Sequence, residues 1–393
     1  MKLIYLDNAA STPIEPMVIM EMNEVSKLYA NPSSFKNAGR AVRKKLEESR
    51  RIIAKFLGAW VEEIIFTSSG SEANNMAIFG LIATADKTKN EILVTPVEHL
   101  SILEPLGVIS KKGFKIKYLK VNKEGVIDLA DLKIKINRNT ALVSVMYANN
   151  EIGTIQPIRK IAKIINEFKK KKLEIDEKMY PFFHTDACQA AEYLDMNVNN
   201  LGVDLMTFNG TKIYGPKGAA VLYKRRNVSL RPMIYGGDQE HGLRAGTENI
   251  IAVAGLAKAV SLVNRKLQNK ITSKLRDYFL ENVAKVISGV RINGPLDNER
   301  LANNVNISIP NLSSESLLLE LDRYGIYASS GSACTAHSVE PSHVLRAIGV
   351  PARFIGGALR FSLGRQTTKR DIEYVLKVLP EVVGELRKRY KKN

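Results

Sequence analysis

Leu205-Met206-Thr207-Phe208-Asn209-Gly210-Thr211-Lys212-Ile213-Tyr214-Gly215-Pro216-Lys217-Gly218-Ala219-Ala220-Val221-Leu222-Tyr223 reads as two short buried strands joined by a glycine-rich loop that carries a lysine. Glycines on both sides of Lys212 remove side-chain bulk and let another molecule approach closely. An amine held between buried strands loses solvation, which favours its neutral form. That form makes an imine with an aldehyde. Taken alone, Lys212 is one of 58 Lys and Arg residues, and most such residues are exposed, so its surroundings must decide.

Working outward, strand-like runs recur at Ile64–Phe66, Ile92–Val94, Ile116–Leu119 and Leu142–Met146. Helical stretches, including Ala73–Ile82 and Ile158–Lys170, lie between several of them. Strands alternating with helices imply a mainly parallel sheet wrapped on both faces. In such sheets ligands bind beyond the carboxyl ends of the strands, which singles out His99, Asn149, Asp186, Gln189 and Lys212. The turn Thr67-Ser68-Ser69-Gly70-Ser71-Glu72 joins a strand to a helix N-terminus. It reads either as an anion site or as a simple cap in which Ser71 and Glu72 start the helix.

Val42, Leu46, Ile53 and Phe56 mark one face of a helix ending at Gly58, and Asp7–Pro13 and Asn31–Ser34 read as loops. From Ala252 to about Ala284 the pattern is helical and nearly continuous, as in a bridge between domains. Beyond it, Val305, Ile307 and Ile309 alternate with Asn306 and Ser308, as in a half-exposed strand. A helix at Glu315–Arg323, a strand at Gly357–Leu363 and a last helix capped by Thr368 complete a smaller α+β unit.

At 393 residues the chain can hold two domains. Its 45% hydrophobic and 25% charged residues fit a soluble globular protein. No apolar run reaches the roughly 18 residues of a membrane span. The opening Met1–Asp7 breaks its apolar run too early for a signal peptide. Two cysteines, Cys188 and Cys334, make no disulfide framework; with the missing signal this reads as a reducing, cytoplasmic location. The net charge of +18 suits nucleic acid or an acidic partner. Its densest runs, Lys169–Lys172 and Arg387–Lys392, lie at helix ends, where cations suit the dipole.

Asp186 ends the buried run Phe183-His184-Thr185-Asp186. A buried carboxylate needs a cation; a protonated pyridine nitrogen, as in pyridoxal phosphate, is one such partner, and a helix N-cap is the alternative. His99 is one of five histidines, catalytic or structural. Cys334 lies in Ala328-Ser329-Ser330-Gly331-Ser332-Ala333-Cys334-Thr335-Ala336-His337-Ser338, a run of small residues that cannot build a core. A thiol there is accessible for chemistry, whereas Cys188, just past a strand, reads as inert.

The whole chain resembles cysteine desulfurases of the NifS/IscS type, class-V aminotransferases within the fold-type I pyridoxal-phosphate enzymes. The segments that carry the resemblance are Tyr5–Thr12, Asn31–Ser34, Glu98-His99, Asn149–Gly153, Thr185–Gln189, Lys212–Gly218, Arg244–Thr247, Ser329–Thr335 and Leu359–Arg365. It implies a large domain over 15–262 with a mainly parallel seven-stranded sheet, and a small domain from 1–14 and 263–393 that carries a mobile cysteine loop at about 325–338. Lys212 would hold pyridoxal phosphate, Asp186 its ring nitrogen, and His99 its ring face, with a part in acid–base steps. Gln189 and Asn149 would contact the ring oxygen. Gly70, Ser71 and Thr247 of a second subunit would hold the phosphate. Arg360 and Asn31, with Asn149, would grip the carboxylate of L-cysteine, and Cys334 would take its sulfur. The resemblance also implies a homodimer and an acceptor such as an iron–sulfur scaffold protein, with tRNA as another route, and no metal. Two phosphate-binding positions depart from the usual pattern: Asn209 and Thr211 stand where Ser and His are usual, and Lys36 replaces a further His. Rival readings are an aminotransferase or selenocysteine lyase on the same fold, and a weakly active sulfur relay that depends on a partner.

Overall fold

The computed structural model describes residues 3–172, 180–331 and 341–391. β1 (Ile4–Tyr5) comes first along the chain. Seven strands then build the main sheet: β2 (Ile64–Thr67), β3 (Glu91–Val94), β4 (Lys115–Tyr118), β5 (Thr140–Ser144), β6 (Phe182–Asp186), β7 (Leu205–Asn209) and β8 (Ala220–Lys224). Their order is β2-β8-β7-β6-β5-β3-β4. β8 runs antiparallel to both β2 and β7; β4, β3, β5, β6 and β7 are parallel to one another.

Side chains alternate between two apolar layers, as the two-residue period of a strand requires. Leu93, Val143, Phe183, Met206 and Val221 join one cluster, and Ile92, Val94, Leu142, Phe182, Leu205 and Leu222 the other. The first cluster is covered by the helices Pro16–Val25, Asn37–Leu57 and Ile250–Ser261. The second is covered by Gly70–Ile82 and Leu100–Ser110. The helix Asn37–Leu57 buries Val42, Leu46 and Ile53 and stops at Gly58, whose φ of 64° is the left-handed cap that glycine adopts without strain.

β9 (Arg291–Ile292), β10 (Asn304–Ser308), β11 (Ile326–Tyr327) and β12 (Ala358–Ser362) lie outside the main sheet. β10 sits between β9 and β12, antiparallel to both, and β11 pairs with β1. A separate core forms here from Ile4, Leu6, Phe279, Val305, Ile307, Phe361 and Val375. A third group, Val97, Met146 and Ile152 with Val344, Leu345, Ile348 and Ala358, ties the loops beyond β3 and β5 to this second body.

Three expectations change. β10 is not half-exposed: Asn304, Asn306 and Ser308 are buried, because Asn304 and Asn306 donate to the Glu151 carbonyl and Asn293 donates to Asn306 and Ser308. The stretch after Ala252 is two helices, Ile250–Ser261 and Arg265–Val286, and Asn264 caps the second by accepting from the Leu267 N–H. The first part of the expected cysteine loop is held in place, since Ile326–Tyr327 pairs with β1 and Ser329 bridges to Arg360. Cys334 and the rest of that loop lie outside the described residues.

Candidate active site

The carboxyl ends of β2, β3, β5, β6 and β7 converge on one pocket of about 170 Å³. Beyond β7, Gly210–Lys212 makes a single tight turn. A Cβ on Gly210 would meet the Pro216 carbonyl at 2.8 Å, so the turn closes only with glycine there. The N-terminal loop fastens this turn: the Thr12 hydroxyl donates to the Thr211 carbonyl at 2.9 Å and accepts from the Tyr214 N–H at 2.8 Å. Lys212 is half-buried, and its Nζ donates to the Ala10 carbonyl.

Beyond β6, Asp186 accepts from Asn74 Nδ2 at 2.7 Å and from the Cys188 N–H at 2.9 Å. These bonds orient the carboxylate, and turns, not a helix, follow it, so it caps no helix. Gln189 donates to the Ala9 carbonyl at 2.9 Å. Burial, reinforced by the neighbouring Asp186, pushes the Cys188 thiol well above its ordinary range, so it stays protonated and inert as a nucleophile.

Beyond β2 the helix starts at Gly70, earlier than the pattern suggested, and the cap is Ser69, whose hydroxyl accepts from the Glu72 N–H at 3.1 Å. Glu72 turns back instead to the Ser68 N–H at 2.9 Å and pairs with Arg244 at 3.0 Å. A Cβ on Gly70 would lie 2.8 Å from Cys188 Sγ and 3.1 Å from Asn209 Nδ2, so this corner of the pocket is open only because residue 70 has no side chain. Asn209 Oδ1 is buried with no hydrogen-bond partner.

Beyond β3, His99 caps the helix Leu100–Ser110 through its ring Nδ1, which accepts from the Ser101 N–H at 3.1 Å. Glu98 beside it is fully buried, and that burial pushes its carboxyl up to about 8, against hydrogen bonds from Thr95 and the Met146 N–H. From β12, Arg360 reaches the pocket almost wholly buried. It pairs with Asp7 at 2.8 Å and donates to the Asn150 carbonyl at 3.1 Å, while its Nε is buried without a partner.

Of the residues singled out from the sequence, Lys212, Asp186, His99, Gly70, Ser71, Gln189, Asn209 and Arg360 line this one pocket. Asn149 does not line it. Its Oδ1 accepts from the N–H groups of Glu151 and Ile152, and its Nδ2 donates to the Val97 carbonyl and contacts Met146 Sδ. The amide is taken up in shaping the turn that presents Asn150. Thr211 joins the site through its backbone alone among these contacts. Thr247 is exposed and lines a different cavity, with Ser68, Glu240 and Arg244. Asn31 is exposed and accepts from the Ser33 N–H at 2.8 Å. Asn74 and Ser101 also line the pocket and went unread. Their signal was positional: one helical turn after Gly70, and two residues after His99.

A carboxylate facing inward, a half-buried amine, and an open corner at the start of a thirteen-residue helix form a coherent set of donors and acceptors. They fit a planar group that carries an electrophilic carbon, a basic ring nitrogen and an anionic tail.

Residues 4–375 match the family model for class-V aminotransferases. The chain belongs to the class-V aminotransferase family. Among family members, it is 45% identical over 387 residues to cysteine desulfurase IscS of Dictyoglomus turgidum, covering 98% of this chain and 95% of that one. It is 42% identical over 390 residues to cysteine desulfurase IscS of Methanosarcina thermophila, covering 98% and 93%. A solved NifS-like protein superposes with a TM-score of 0.90 at 34% identity over 98% of this chain and all of that one. The apo cysteine desulfurase of Thermococcus onnurineus gives 0.85 at 28% identity over 98% and 95%. The α/β fold, with its mainly parallel sheet flanked by helices, is thus shared with these solved structures. Among the described residues no helix is long and apolar enough to cross a membrane.

Proposed function

We propose that this class-V protein is a pyridoxal-phosphate-dependent cysteine desulfurase that takes sulfur from L-cysteine, leaves L-alanine and carries the sulfur as a persulfide. The observation that carries the reading is the joint placement of Lys212, Asp186, His99, Gly70 and Arg360 on one small pocket, in a chain 45% identical to a cysteine desulfurase. Pyridoxal phosphate, when bound, supplies an aldehyde carbon and a ring that draws electrons from the attached substrate.

Lys212 would hold the cofactor through its Nζ, and the same amine would carry protons in the pocket. Asp186, held by Asn74 and the Cys188 N–H, would keep a proton on the ring nitrogen. Gly70 and Ser71 offer backbone N–H groups to the phosphate, with Asn209, Thr211 and Thr247 of a second copy assisting. Gln189 would contact the ring oxygen, with Asn149 acting there through the turn that it shapes. The Arg360 guanidinium takes the substrate carboxylate, with Asn31 closing over it. Cys334 attacks the substrate sulfur as a thiolate. The S–S bond forms as the C–S bond breaks, and the carbon left behind is protonated to give alanine.

The sulfur would then pass to an acceptor such as an iron–sulfur scaffold protein, or into tRNA thiolation, and a homodimer in the cytoplasm is the working form. Cys334→Ala is the test. It should abolish sulfide release from cysteine while the yellow absorbance of the loaded protein persists. Sulfide release at the parental rate from Cys334→Ala would remove Cys334 as the nucleophile.

A further inference from the structure

Along the pocket wall, four side chains form one hydrogen-bonded row from Asp186 to His99. Asn74 is fully buried, and its Nδ2 donates to Asp186 Oδ2 at 2.7 Å and to Ser101 Oγ at 2.8 Å. Ser101 Oγ lies 2.8 Å from His99 Nδ1, and the Ser101 backbone N–H reaches the same nitrogen at 3.1 Å.

The direction of the row is fixed by groups that cannot reverse their roles. A backbone N–H only donates, so His99 Nδ1 accepts. An ionised carboxylate only accepts, so Asn74 turns its NH₂ toward Asp186 and leaves its Oδ1 buried without a partner. Both amide hydrogens are then in use. Ser101 Oγ accepts one of them, and its own hydrogen is directed to Nδ1. Two donors therefore converge on one ring nitrogen.

We infer that Asn74 and Ser101 are positioning residues that hold His99 as the Nε2–H tautomer, so that the pocket meets a neutral imidazole whose exchangeable proton is on Nε2. A proton can arrive at Nδ1 only by displacing two hydrogen bonds. His99 thus presents a hydrogen-bond donor at Nε2 to the pocket. The row begins at Asp186, so orienting that carboxylate and setting the histidine tautomer are a single construction. The kinetic part of the test rests on the desulfurase reading; the tautomer does not.

The full-length protein with ¹⁵N-labelled histidine is examined by NMR, the His99 signals being identified by their loss in His99→Gln. The expected result is one protonated nitrogen, Nε2, with Nδ1 bare and hydrogen-bonded. A His99 ring protonated at Nδ1 in the parent protein overturns the inference without recourse to any variant. Ser101→Ala and Asn74→Ala should each bring in a second His99 population protonated at Nδ1. They should lower kcat for sulfide release about tenfold, the worth of one net hydrogen bond, with KM for cysteine unchanged. Ser101→Thr, which keeps the hydroxyl, should restore both the signals and kcat. His99 signals identical to the parent's in both alanine variants would refute the row. If no variant, nor the parent, releases sulfide, the desulfurase reading falls and the nitrogen signals still decide the tautomer.

Discussion

Glu98 and His184 are both held uncharged by burial, and they bend the stability of the fold in opposite pH directions. His184 on β6 is wholly enclosed, and burial lowers its ring from 6.5 to about 4 even though Asp186 pulls the other way. The unfolded chain therefore gains a proton before the folded one does, and stability falls as pH drops from about 6.5 toward about 4. Glu98 is raised by burial from 4.5 to about 8. The folded chain keeps that proton while the unfolded chain loses it, so the stabilising share is complete below 4.5 and is lost as pH rises through about 8. Glu98→Gln should flatten the decline in urea midpoint between about 4.5 and about 8 and leave the acid limb as it was. Parallel midpoint profiles for parent and variant would show that Glu98 is ionised in the folded protein. At this scale the sequence was informative wherever a polar residue followed an apolar run, as with Asp186, His99 and Lys212. It was silent on Asn74 and Ser101, because a buried polar residue inside a helix announces nothing until its partner arrives from another strand. It did not show how Asn149 is held, since spacing places a residue at the end of a strand without saying whether its amide turns outward or back onto the turn.

β10 carries the same lesson one level up. The alternation of Val305 and Ile307 with Asn306 and Ser308 is a true two-residue period, and it located the strand. It did not say what lies on the polar side, because carbonyls and amides from distant loops leave no mark in the local pattern. That side is covered by the Glu151 turn and by Asn293, which explains how three polar side chains are buried without going unsatisfied. The break between Ile250–Ser261 and Arg265–Val286 was legible in principle, since Asn264 is a good capping residue; a continuous apolar pattern masked it. Asn306→Ala tests the polar side. It removes the 3.0 Å bond to the Glu151 carbonyl and the 2.8 Å bond from Asn293. Each partner keeps another contact, the carbonyl to Asn304 and the amide to Ser308. The loss should therefore be about 1–2 kcal/mol of unfolding free energy in urea, with no orphaned group to enlarge it. A loss within error of zero would mean that water replaces the asparagine freely and that the strand is as open as its pattern first suggested.

For the molecule as a whole, the pocket is built from one chain, but some of the residues assigned to it lie outside its lining, two of them on exposed loops. Thr247 is exposed beside Ser68 and Arg244, and Asn31 is exposed on its loop. Around these loops Tyr29, Phe35 and Tyr235 are 92%, 85% and 78% exposed, apolar surface of the kind a partner covers. A two-fold pairing would cover such surface and bring each Thr247 to the other copy's pocket. Mixing two crippled variants separates this arrangement from a self-contained site. Lys212→Ala lacks the amine, and Thr247→Glu places a negative charge where the phosphate would be. If sites are shared, a mixed dimer has one site with both defects and one with neither. With random pairing, half of the dimers are mixed and each has one intact site of two, so sulfide release should return to about a quarter of the parental rate. If each chain completes its own site, mixing repairs nothing, and the rate stays at the average of the two variants. Differently tagged copies expressed together, with the mixed species purified through both tags, should raise the yield to about half of the parental rate per dimer. A mixed species that remains at the variants' average would show that Thr247 does not complete the other copy's site and would leave the exposed aromatic side chains to be explained by a different partner.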